Sequence, residues 1–315
     1  MSVINVKNLK DFIGKEVQLN GWVYNIRSIG KIWFVIVRDG TGYVQCVVTK
    51  NDISEKVFKL ESTLTQESSL KIKGKVQADT RSDSGVEILV TDIDVVHIAD
   101  DYPISLKEHG ISFLMDNRHL WLRSKKQFAI MKIRQRIIRS IRNFFDDRDF
   151  VLIDSPIFTA NAVEGTTTLF ETDYFNRSAY LSQSGQLYQE AGAMAFGKTY
   201  CFGPAFRAEK SKTRKHLTEF WMVEPEMAYC DINQNMDIIE EFMSYVIKDA
   251  LENCADELKI LERDISKLEN ISVPFPRISY DEAVKILTKK GHKFEYGSDF
   301  GAPDEEMLAA QFDKP

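Results

Sequence analysis

The stretch YCFGPAFRAEKSKTRKHLTEFWMVEPEMAYC, residues 200–230, begins and ends like β-strand and holds a run of basic residues and a histidine in its middle. Two apolar, aromatic-rich segments joined in this way can satisfy their backbone groups by pairing with each other, as a long-looped antiparallel hairpin. Side chains alternate along a strand. The spacing therefore predicts Arg207 and Glu209 on one face of the first segment, and Phe220, Met222 and Glu224 on one face of the second. A cationic fork, a carboxylate and an aromatic plate suit a nucleotide: the guanidinium grips phosphate, the ring stacks on a base, and the carboxylate accepts from an exocyclic amine. Lys210, Lys212, Arg214, Lys215 and His216 would then surround the polyphosphate. On charge alone, a solvated basic loop fits equally well.

The chain of 315 residues is long enough for two domains. Its net charge of −6 argues against a general coat for nucleic acid, so any such contact must be local. From KEVQLNGWVYNIRSIGKIWFVIVRDGTGYVQCVVTK to SLKIKGKVQADTRSDSGVEILVTDIDVVHIA, five short alternating segments are punctuated by Gly and Asp-Gly turns. They predict a five-stranded barrel of the OB type over residues 1–100, whose face and loops suit single-stranded nucleic acid. Residues 101–123, with Pro and Gly and no clear period, read as a linker. From Ser124, Phe128, Met131, Ile138, Ile141 and Phe145 recur at helical spacing, and the following FVLIDSPIF reads as a strand that stops at Ser155 and Pro156. The fold class expected is α+β: a barrel, then a second domain over residues 124–315 built on an antiparallel sheet. Cys46, Cys201, Cys230 and Cys254 form no CxxC pair and read as reduced and mostly buried. The opening residues lack a signal or transit pattern, and no segment approaches membrane-spanning length, which predicts a cytoplasmic protein without membrane contact.

The order FRAE, basic loop, HLTEFWMVEPE resembles the second motif of class II aminoacyl-tRNA synthetases, and the helix that leads to Ser155 and Pro156 resembles their first motif. With EGTTTLFETDYF and YLSQSGQLYQEAGAMAFGKTYCFGP, the resemblance narrows to the asparaginyl enzymes, in the subgroup that includes the aspartyl and lysyl ones. It implies ATP-dependent activation of L-asparagine, with Mg²⁺, and transfer to the 3′-end of tRNA(Asn). Arg207 would be the catalytic group, on the ATP α-phosphate and the amino-acid carboxylate. Glu209 would take the adenine amine, Phe220 the adenine face and His216 the outer phosphates, and Glu224 would complete the ATP site. Glu164, Gln186, Gln189 and Glu190 would bind the amino acid, the last three by their spacing near one helix face. Aspartyl enzymes carry lysine where this chain has Gln189, so Glu190 would repel aspartate and accept from the asparagine amide. In the barrel, Phe34 would stack on an anticodon base beside Gln45, Glu87 and Arg27. By itself, a strand phenylalanine such as Phe34 is more often core. The resemblance also implies a homodimer through the first motif.

The third motif of these enzymes, with its ATP-clamping arginine, is not found up to Pro315. Residues 1–315 alone are therefore expected to be inactive. Two alternatives remain: a synthetase of relaxed Asn/Asp specificity, and a non-catalytic tRNA-binding protein on the same scaffold.

Overall fold

Alternation in the first hundred residues resolves into β1 (Glu16–Ile29), β2 (Ile32–Arg38), β3 (Tyr43–Thr49), a short α1 (Glu55–Phe58), β4 (Ser69–Ala78) and β5 (Val86–His97). The computed structural model describes residues 2–82, 84–163, 169–210 and 216–314. Within it the chain divides into two units, Met1–Trp121 and Leu122–Pro315.

In the first unit the five strands close in the order β1-β2-β3-β5-β4, antiparallel throughout except for the parallel pair β3 and β5. Every second side chain points inward, so Val17, Leu19, Trp33, Val35, Val37, Val44, Cys46, Val48, Ile72 and Ile88 form one dry core. A bulge between Val23 and Asn25 lets Val23 and Ile26 both face inward. After it Arg27 stands opposite Phe34. Closure brings strands close at two glycines. A Cβ at Gly21 would lie 2.5 Å from the Arg38 carbonyl oxygen, and one at Gly74 2.3 Å from that of Leu89. Only glycine fits there. Beyond the barrel, two short helices, α2 (Ile111–Asp116) and α3 (Arg118–Trp121), belong to this unit.

The second unit opens with α4 (Lys125–Asp146), capped by the Ser124 hydroxyl, which accepts from the Gln127 amide. There follow β6 (Val151–Leu152), β7 (Phe158–Thr159), β8 (Glu171–Tyr174), β9 (Arg177–Leu181), α5 (Gln186–Phe196), β10 (Lys198–Phe206), β11 (Glu219–Met227) and α6 (Ile232–Asn253). α7 (Ala255–Ile260), α8 (Ser266–Glu269), α9 (Tyr280–Lys289) and α10 (Ala302–Ala309) complete it. The strand expected at FVLIDSPIF is short, but the Ile153 amide adds one more bond, to the Tyr200 carbonyl at 2.9 Å.

β10 is the centre of a sheet ordered β11-β10-β6, while β7, β9 and β8 form a small second sheet. One face of β10 and β11 supplies Tyr200, Phe202, Val223 and Met227 to a core with Ile141, Phe144 and Phe145 of α4 and Phe242 and Tyr245 of α6. Trp221 lies on that same side of β11, against Phe202 and with Arg134 of α4 near its ring. Arg136 binds Asp249 through two nitrogens and ties α4 to α6. Met131, expected on the apolar face of α4, is exposed together with Ile130. α5 packs on β10 and β11.

Candidate active site

The hairpin predicted around the basic run is present, with Cys201 opposite Glu224 and Phe206 opposite Glu219. β10 ends at Phe206, and one further rung, from the Arg207 amide to the Thr218 carbonyl at 3.0 Å, carries the pairing just past the strand. Arg207 and Glu209 therefore follow the strand rather than lie in it. Lys212, Arg214 and Lys215 lie outside the described residues.

Arg207, Glu209, His216 and Phe220 line one cavity of ≈ 440 Å³, and Leu217 completes its wall. The Arg207 guanidinium is 5.9 Å from the centre of the Phe220 ring, with Nη2 at 4.0 Å from the Met222 sulfur. A cation is thus set beside an aromatic plate, with a carboxylate and an imidazole on the same rim. This is the donor, acceptor and stacking set of a nucleotide site. Leu217 was not anticipated. Its only signal was an apolar residue directly after the histidine of an otherwise polar connection.

Four residues beyond Phe220 on β11, Glu224 reaches the start of α5. The Gly185 amide donates to both carboxylate oxygens, at 3.0 and 3.1 Å, and the Ser184 hydroxyl donates to Oε2. The Cys201 thiol approaches Oε1 at 3.6 Å. Burial, and then the Glu224 charge, push that thiol up to about 12, so it stays neutral. Expected from sequence to complete the ATP site, Glu224 here accepts from the Gly185 amide and the Ser184 hydroxyl.

On α5, Gln186 donates from Nε2 to Glu190 Oε1 at 2.9 Å, and both side chains are exposed. Gln189 does not share their face. It is fully buried and donates to the Ile153 carbonyl at 2.7 Å and to Ser155 Oγ at 3.3 Å. At 100° per residue, position 189 turns away from 186 and 190 just far enough to reach the β6 side. Glu226, two residues beyond Glu224, was not singled out from sequence. Its carboxyl is held above the usual range, first by burial and then by the charges of Glu190 and Glu224. Its signal was the period of two that places it on the Glu224 face. Glu164 lies outside the described residues.

In the first unit, the four residues expected to meet nucleic acid are brought together. The Arg27 guanidinium lies 4.8 Å above the Phe34 ring, and its Nη2 donates to Gln45 Oε1 at 2.7 Å. Gln45 Nε2 in turn donates to Glu87 Oε2 at 3.2 Å. Phe34 is half-buried outside the barrel, whereas the adjacent Trp33 is the core residue. Among the described residues, no group of three His, Cys, Asp or Glu side chains could hold a metal ion, and no helix is long and apolar enough to cross a membrane.

Two family models match: "tRNA synthetases class II (D, K and N)" over residues 111–313 and "OB-fold nucleic acid binding domain" over residues 17–96. The chain is 53% identical, over all of its length and 73% of the relative's, to an asparagine–tRNA ligase of Pelotomaculum thermopropionicum. A similar structure is asparaginyl-tRNA synthetase from Pyrococcus horikoshii complexed with asparaginyl-adenylate. Its TM-score is 0.91 at 42% identity, with 96% of this chain and 70% of that one covered. The asparaginyl-tRNA synthetase of Entamoeba histolytica, in complex with asparaginyl-adenylate, gives a TM-score of 0.83 at 29% identity, over 98% of this chain and 72% of that one.

Proposed function

The chain belongs to the class II tRNA synthetases of the D, K and N group, and on that footing we propose that it activates asparagine with ATP and joins it to tRNA(Asn). The observation that carries the assignment of residues is the single cavity lined by Arg207, Glu209, His216 and Phe220. ATP stacks its adenine on Phe220 and offers its amine to Glu209. Arg207 spans the α-phosphate and the asparagine carboxylate, and His216 faces the outer phosphates. A carboxylate oxygen then bonds to the α-phosphorus as the bond to the bridging oxygen breaks and pyrophosphate leaves. Arg207 supports this step by position and charge, without a protein nucleophile. Mg²⁺ would be carried by the phosphates and would offset their charge, since among the described residues no group of three His, Cys, Asp or Glu side chains could hold it.

Glu190 on α5 and Glu226 on β11 lie close enough for their charges to interact, and the reading of the substrate side chain is assigned to them. A second negative charge there disfavours aspartate, while the asparagine amide can donate. Gln189, buried behind this face, orients the helix rather than touching substrate, and Glu164 is assigned to the α-amino group through the resemblance alone. Pyrophosphate exchange with Asn and with Asp, on the enzyme at its full natural length, tests the reading: exchange is expected with Asn and to be far weaker with Asp. Exchange with neither would overturn it.

The barrel face of Arg27, Phe34, Gln45 and Glu87 is assigned to the anticodon. The exposed Ile130 and Met131 on α4 support a homodimer through this helix. Met131→Glu is expected to shift the protein from dimer to monomer in analytical ultracentrifugation without unfolding it. The free thiols Cys46, Cys201, Cys230 and Cys254 fit a reducing cytoplasm.

A further inference from the structure

We infer that Glu224 is a positioning residue for the amino-acid pocket: by holding Ser184 and Gly185 it fixes the first turn of α5, and with it the aim of Gln186 and Glu190. The inference rests on the assignment of that pocket given above.

The first amides of a helix have no partner within it, and the positive end of the helix dipole gathers there. The N-cap residue of α5, Gly185, has no side chain with which to cap it. The Ser184 hydroxyl serves the Gln186 amide locally, and the acceptor for the Gly185 amide comes from 39 residues away. Glu224 takes the Gly185 amide on both oxygens and the Ser184 hydroxyl on one, while Ser184 Oγ in turn accepts from the Gln186 amide at 3.0 Å. The anchor itself is rigid, since Glu224 pairs with Cys201 at the middle of the β10–β11 ladder.

The turn it holds has little room to move. A Cβ on Gly185 would meet Cys201 Sγ at 2.5 Å and Ser155 Oγ at 2.6 Å, so the backbone is already pressed against β10 and the segment after β6. On the far side, Gln189 hangs the same helix from Ile153 and Ser155. Two attachments thus orient one helix, one at the half-buried Glu224 and one at the buried Gln189, and its exposed side presents Gln186 and Glu190. Loosening the Glu224 attachment tilts the first turn, and a displacement on the order of 1 Å is enough to spoil a reactive alignment.

Glu224→Gln keeps the volume but sets an NH₂ donor against donors. Ser184→Ala removes one donor and leaves every charge in place, which separates the hydrogen bond from the electrostatic effect of Glu224 on Glu226. On the enzyme at its full natural length, Glu224→Gln should raise KM for Asn at least about tenfold, with KM for ATP within about twofold. Ser184→Ala should act in the same direction, and the double variant should be no worse than Glu224→Gln alone. Hydrogen exchange at the amides of residues 185–189 should quicken in both single variants, with α6 unaffected.

A rise in KM for ATP with KM for Asn unchanged would overturn the inference in favour of direct contact with the nucleotide or its metal. Additive effects, or a lower unfolding midpoint with unchanged exchange in α5, would overturn it as well. If the unaltered enzyme activates no asparagine, the functional assignment fails instead, and hydrogen exchange alone decides the role of Glu224.

Discussion

Glu226 shows how one carboxyl can report its surroundings. Its folded pKa is raised by burial and by the charges of Glu190 and Glu224, so the folded chain keeps a proton that the unfolded chain has released. Stability is then lost as pH rises through the interval between the ordinary carboxylate pKa and the raised folded value. Glu226→Gln retains the shape without the charge. Its unfolding midpoint is expected to exceed that of the parent at about pH 7.5 and to converge with it at about pH 3, where the parent carboxyl is protonated in both states. A difference independent of pH would remove charge as the cause. At this scale the sequence was legible for residue type more than for direction. The pattern KIWFVIV contains both Trp33 and Phe34, and only the bulge at Val23 and Asn25 with ring closure decides that Trp33 is core and Phe34 is outside. Likewise, steps of three and four suggested one face for Gln186, Gln189 and Glu190, but the turn of about 100° between positions 189 and 190 buries one and exposes the other.

Among the elements, α6 announces itself by local chemistry. Asp231 accepts from the amides of Asn233 and Gln234, and the Gln234 side-chain oxygen in turn accepts from the Asp231 amide. Asp231→Ala is expected to cost about 1 kcal/mol of stability in denaturant unfolding. It should leave KM for Asn and ATP unchanged, because the cap lies away from the cavity residues. The hairpin of β10 and β11 was legible because two apolar, alternating segments flank a run that cannot be buried. The hairpin of β8 and β9 was not. Its strands are short and half polar, and its turn has no glycine: Phe175, almost fully exposed, takes the left-handed conformation at φ 58. Neither alternation nor turn chemistry marks it.

The whole molecule is two units, and each has a core of its own. Among the described residues, that of the barrel is drawn from residues between Ile4 and Val95. A fragment of residues 1–121 is therefore expected to fold cooperatively alone and to bind an anticodon stem-loop. Within it, Phe34→Ala should weaken binding by about 1 to 3 kcal/mol. The unfolding midpoint should stay close to that of the parent fragment, since Phe34 lies outside the core. Equal binding with a lower midpoint would return Phe34 to a structural role. The α+β class and the barrel were both readable from turn spacing and alternation, because the physics that sets them is local and repeats along the chain. The Glu224 attachment to α5 was not, since its partners lie 39 and 40 residues away and no periodicity links them.

The placement of Trp221 has an optical consequence. Of the four tryptophans, Trp22, Trp33 and Trp121 belong to the first unit, and Trp221 alone belongs to the second. It sits on β11 next to Phe220, on the face turned away from the cavity, with one edge against Phe202 and a guanidinium near its ring. Its indole is half in water, where emission responds to small changes in polarity and in nearby charge. With the other three replaced by phenylalanine, the protein would carry a built-in fluorophore one residue from Phe220, the ring proposed to stack on adenine. Arrival of the nucleotide could then be timed by stopped-flow emission, with no label attached.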